Sequence, residues 1–92
     1  MLTRIDLSLK QRAVQSGHAV AEFLLNHKTS WDNGTLIYLG VDNEEELKRW
    51  MFKLERKDIK YSIFREPDIG NEITSLATDW NESNMFSKLK LL

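Results

Sequence analysis

The chain has no cysteine, a single proline and four glycines in 92 residues, and each shortage removes a class of answer. Without cysteine there is no disulfide framework and no thiolate metal site. No apolar run approaches the roughly 20 residues that cross a bilayer as a helix, so no membrane span is expected. Met1 and Leu2 are followed at once by Arg4 and Asp6. Neither a signal peptide nor a transit sequence is therefore expected, and the expected location is cytoplasmic. Neither sign of charge dominates: 13 basic against 14 acidic residues leave a net charge of −1. That excludes a polyanion binder held by net charge alone and leaves room for a local basic patch. Two histidines far apart in the chain, with no ligand pair at i, i+4, make no metal site, and no cofactor is implied. No internal repeat or low-complexity segment is visible.

What remains, 41% hydrophobic and 29% charged, is the composition of one globular domain over residues 1–92 with a single core. Its organising stretch is residues 8–26, SLKQRAVQSGHAVAEFLLN, which reads as a long helix with two faces. Ala13, Gly17, Val20, Ala21 and Leu24 follow the i, i+4, i+7 spacing of a packing face, with small residues that let a sheet come close. Gln11, Gln15, His18 and Glu22 fall within an arc of roughly 60° and form a polar stripe containing an imidazole. Ser8 with Gln11 has capping-box spacing, which starts the helix there and turns its first amides outward as an anion-friendly terminus.

Residues 2–7 alternate in the manner of a strand with one buried face. Residues 27–34, containing Asn33-Gly34, read as a loop, and the run TLIYLGV at 35–41 reads as a strand covered on both faces. Asp42 with Glu45 repeats the capping spacing, and Leu47, Trp50, Met51 and Leu54 then recur at i, i+3, i+4, i+7, which predicts a second helix over 43–57. Residues 60–65 alternate again, and the turn 66–71 holds Pro67 together with Gly70 and Asn71, which tolerate positive φ. Residues 73–78 complete a strand-turn-strand unit, and Met85, Phe86, Leu89 and Leu92 predict a short closing helix in the tail 80–92.

This order implies an α/β domain: a small four-stranded mixed sheet flanked by helices, parallel where helices connect strands and antiparallel across the short turn. Function in such sheets gathers where loops leave strand ends, here residues 6–12 and 66–71.

The residues at those places resemble a family. Asp6-Leu7, then Ala13-Val14-Gln15-Ser16-Gly17-His18-Ala19, then Val41-Asp42-Asn43-Glu44-Glu45-Glu46-Leu47, then Asp68-Ile69-Gly70, then Thr74-Ser75-Leu76-Ala77 are similar, in order and spacing, to the motifs of the type 2 peptidyl-tRNA hydrolases. The resemblance spans nearly the whole chain. It implies a four-stranded mixed sheet, often in a dimer, and an enzyme that cleaves the ester between a stalled peptide and its tRNA, with tRNA as partner and a homodimer as the assembly. Gln11 stands where the family carries a lysine, between Lys10 and Arg12, and the loop after Gly70 is shorter than the family's.

Ester hydrolysis needs a positioned water, a proton acceptor and a donor to the oxyanion. Carried over on these terms, Asp68 either takes the proton or fixes the tautomer of His18, and Thr74 is an orienting hydroxyl. Lys10, Gln11, Arg12, Gln15 and Gly70 line the substrate side, with Lys10 or Arg12 holding a phosphate or the oxyanion. Read without the family, His18 is a partly exposed helix residue, Asp68 a turn residue, and Lys10 and Arg12 surface charge. The alternative is a non-catalytic module on the same fold that binds RNA or a protein.

Overall fold

The computed structural model describes residues 1–79 and 84–92. In chain order these form β1 (Leu2–Arg4), α1 (Leu9–Asn26), β2 (Leu39–Val41), α2 (Glu44–Arg56), β3 (Ser62–Glu66), a 3-10 turn (Pro67–Ile69), β4 (Glu72–Ala77) and β5 (Lys90–Leu91). The sheet runs in the order β3-β4-β1-β2-β5, with β1 and β2 parallel and the remaining neighbours antiparallel. It is an α/β domain with a five-stranded mixed sheet, one strand more than the sequence predicts.

The extra strand comes from the tail. The predicted closing helix falls partly on residues 80–83, which lie outside the described residues, while 84–89 form turns and Lys90–Leu91 pairs with β2. Gly40 permits this close approach: a Cβ there would stand 2.7 Å from Ile5 Cγ2 and 3.1 Å from Leu92 Cδ2. A second difference is the length of β2, which begins at Leu39 rather than Thr35; Leu36 and Ile37 are exposed.

Both helices start on their own side chains. At α1 the Gln11 amide donates to Ser8 Oγ at 3.2 Å, and the Ser8 amide donates to Gln11 Oε1 at 3.0 Å, the reciprocal box expected. At α2 the cap is Asn43 rather than Asp42: Asn43 Oδ1 accepts from the Glu46 amide at 3.0 Å, and Glu46 reaches back to the Asp42 amide at 2.7 Å. Three glutamates in the first turn and two basic residues in the last suit the helix dipole.

The helices cover opposite faces. Under α2 lie Leu2, Val41, Leu47, Leu54, Ile73 and Leu76, all essentially buried. Beneath α1 the smaller cluster Ala19, Phe23 and Ala77 shares the interface with polar residues. Here the helix is turned from the expected orientation. Ala13, Gly17, Ala21 and Leu24 face solvent, and the buried residues are Gln15, Ser16, Ala19 and Phe23.

The sheet explains the turn of the helix. The β3–β4 register slips between Phe64 and Arg65, which pair with Ser75 and Ile73 and leave Thr74 as an extra residue on β4. Alternation breaks at such a bulge, so two neighbouring side chains emerge on one side. Ile73 and Leu76 accordingly both enter the α2 core, and Thr74 and Ser75, each 0% exposed, both go under α1. Ser75 and Thr3 share a hydrogen bond at 2.8 Å, and a floor built of hydroxyls selects Gln15 and Ser16 above it rather than an aliphatic stripe.

Candidate functional site

The end of the sheet that carries the α1 start and the β3–β4 turn gathers most of the residues singled out in the sequence. Thr74, directed under α1 by the bulge, donates from Oγ1 to Gln15 Oε1 at 2.7 Å, and Gln15 Nε2 donates to Glu66 Oε2 at 3.0 Å. Helix α1, inner strand β4 and edge strand β3 are tied there by one amide. The turn is shaped by Gly70 and Asn71, at φ 73° and 60°, following the 3-10 turn that Pro67 opens. In Gly70 the left-handed backbone is the requirement, since a Cβ there would meet nothing within 4 Å.

Arg12 is occupied by the chain itself. Its guanidinium donates to the carbonyls of Leu7 at 2.9 Å and Ile5 at 2.5 Å and braces the loop into α1. Gln11 completes the cap, and Lys10 beside it is exposed. Among the described residues, no hydrogen bond or ion pair joins His18 to Asp68. The His18 ring lies exposed on the helix and stacks on Phe64 of β3, centroids 4.2 Å apart and planes 9° off parallel. Asp68 is exposed within the 3-10 turn.

Two further residues shape this end: Glu66, which the sequence leaves open between a second acid and a solvated neighbour, and Arg4, which was not read from the sequence as a site residue. Glu66, the last residue of β3, is the carboxylate that Gln15 holds. Arg4, the last residue of β1, is only 7% exposed and reaches Asp6 at 2.9 Å, Glu72 at 2.7 Å and the Ile73 carbonyl at 3.2 Å. Hydrogen bonding to Asp6 raises the Arg4 pKa further, and the same contact holds the Asp6 carboxyl below its usual range. Arg4 thus welds β1 to the start of β4 and to the loop entering α1. An arginine on the strand face that also carries the buried Leu2 was the available signal, since such a charge must find partners.

Elsewhere, an open depression of about 390 Å³ lies at the opposite end, lined by His27, Glu55, Asp58, Ile59, Lys60 and Tyr61. Tyr61 donates to Glu55, and its hydroxyl is pushed up to about 12, by burial first and by the Glu55 hydrogen bond second. None of the candidate residues lines it. Among the described residues no group of three His, Asp or Glu is arranged to hold a metal ion, and no helix is long and apolar enough to cross a membrane.

No protein-family model matches the chain, and no curated protein matches it.

Proposed function

We propose that this protein hydrolyses the ester between a peptide or aminoacyl group and the ribose of tRNA, in the manner of the type 2 peptidyl-tRNA hydrolases. One observation carries the reading: Gln15 and Thr74, 59 residues apart and each within a motif that resembles the family's, are hydrogen-bonded directly at 2.7 Å. Chance similarity in two separate helix and strand signatures gives no reason for their polar residues to meet in a buried contact. The chemistry needs little more than this end provides. His18 presents an imidazole with no hydrogen bond among the described residues, Asp68 an exposed carboxylate, and Lys10 an ammonium at a helix N-terminus, where an anion is favoured.

Release of labelled peptide from peptidyl-tRNA by the pure protein, beside His18→Ala and Asp68→Asn, tests this. Turnover that both substitutions suppress supports the enzyme. A second reading, a non-catalytic module binding RNA or a protein, is favoured by the unmade contact between His18 and Asp68. Absence of turnover together with tight, salt-sensitive tRNA binding would select RNA, and absence of both would select a protein partner.

A further inference from the structure

Glu66 is half-buried at the point where β3 ends, and its carboxylate is held in place rather than left to solvent. Thr74, 0% exposed, donates to Gln15 Oε1, which leaves Gln15 Nε2 as the end that faces Glu66 Oε2. The Thr74 hydroxyl also reaches the Phe64 carbonyl at 3.3 Å, so the amide is oriented from its other side as well: an ionised Glu66 only accepts, and it takes the Nε2 end. Oε1 of Glu66 has no hydrogen-bond partner among the described residues. Arg4 provides the contrast: it pairs its carboxylates as an ion, whereas the neutral Gln15 amide orients Glu66 without a compensating charge. Asp68, by comparison, is exposed on the turn with no side chain holding it among the described residues.

The imidazole is close by. Phe64 and Glu66 are two residues apart on the same face of β3, about 7 Å along the strand. Their respective partners on α1, His18 and Gln15, are three residues apart, about 5–6 Å between Cβ atoms. Ring and carboxylate thus lie side by side along the seam of α1 and β3, and β3 is the edge of the sheet, so the seam is open on its outer side.

We propose that Glu66 is a further catalytic residue, the carboxylate that takes the proton from the attacking water; this rests on the function proposed above. Glu66 Oε1 accepts one water proton as the water oxygen bonds to the ester carbonyl carbon. The tetrahedral intermediate then collapses with cleavage of the bond from that carbon to the ribose oxygen. The ribose oxygen leaves with the electron pair and receives the proton from Glu66. One water is consumed, a carboxylic acid and a ribose hydroxyl are formed, and Glu66 returns to its ionised state.

Glu66→Gln retains an acceptor for the Gln15 amide and removes the base. Peptide release from peptidyl-tRNA, measured across pH for the wild-type protein and Glu66→Gln, gives the answer. The assignment expects kcat to fall about 100-fold or more in Glu66→Gln, with KM within about threefold, the thermal midpoint unchanged and the acidic limb of the pH profile lost. Wild-type turnover that survives Glu66→Gln overturns the assignment and leaves the proposed function standing. Absence of wild-type turnover overturns both. Should Glu66→Gln melt lower than the wild type, Gln15→Met provides the second measurement, since it frees the carboxylate without removing it. A displaced acidic limb with lowered kcat then supports the role of Glu66, and an unchanged profile overturns it.

Discussion

Arg4 and Glu66 are both charged residues at strand ends, and they differ in what holds them: Arg4 is paired with two carboxylates, Glu66 with a neutral amide. Arg4 sits between Asp6 and Glu72 with its guanidinium nearly out of solvent, and truncating one member of such a group leaves the others poorly compensated. The sign of the pH effect follows from Asp6, whose carboxyl is lowered below its ordinary 3.8 by Arg4. Its contribution is present above the unfolded value and is lost as pH falls through the lower, folded one. Asp6→Asn is accordingly expected to melt below the wild type at pH 7, with the gap closing as pH drops under about 4. A gap that stays constant between neutral and acid pH in a thermal-melt series would show that Asp6 acts through shape alone. At this scale the sequence was informative about Gln15 and Thr74, because both lie in recognisable spacings. It left Glu66 open between a second acid and a solvated neighbour: its partner, Gln15, stands 51 positions earlier, and no local pattern announces that pairing.

At the scale of elements, caps were legible and faces were not. Ser8 and Gln11 signal the start of α1 within four consecutive residues, and the cap is found there. Which side of α1 turns inward is decided by the sheet, where one inserted residue at Thr74 puts two hydroxyl side chains on the α1 side. A helix read alone shows a small apolar stripe and a polar stripe and contains nothing about the bulge that chooses between them. The tail strand was missed for a related reason, since Lys90–Leu91 gains its pairing from Gly40, far off in sequence. The outward turn of α1 has a measurable consequence at Gly17. This glycine is in a helix interior, is not at positive φ, and would place a Cβ in open space. Alanine there relieves the backbone entropy of glycine at no steric cost, so Gly17→Ala is expected to stabilise the fold by about 0.5–1 kcal/mol in chemical denaturation. A loss of stability would mean that the α1 surface is packed against something other than solvent.

For the whole molecule, charge is sorted along the direction of α2. Glu44, Glu45 and Glu46 occupy its first turn and Lys53 and Arg56 its last, with Lys57 as the C-cap, and 13 residues separate the ends by about 20 Å. The first-turn end also carries Asp6 and Glu72, both paired with Arg4, and Glu66 and Asp68; with Arg12 and Arg65 held by backbone carbonyls, Lys10 is left there to meet a phosphate, one lysine rather than a basic patch. A polyanionic substrate must then be held mainly from elsewhere, with a chain end reaching into the acidic side. Lys53 is drawn over the Trp50 ring at 4.7 Å, while Arg56 and Lys57 at the same end are exposed and without an ion pair among the described residues. The double substitution Arg56→Glu with Lys57→Glu is therefore expected to raise KM for peptidyl-tRNA and leave kcat nearly unchanged. It also lowers the slope of log affinity against log salt by about 1–2, one unit for each phosphate that is no longer neutralised. Equal salt slopes for the two proteins would place the RNA on another surface, and a fall in kcat at constant KM would mean that this end acts on the reacting ester rather than on the body of the tRNA.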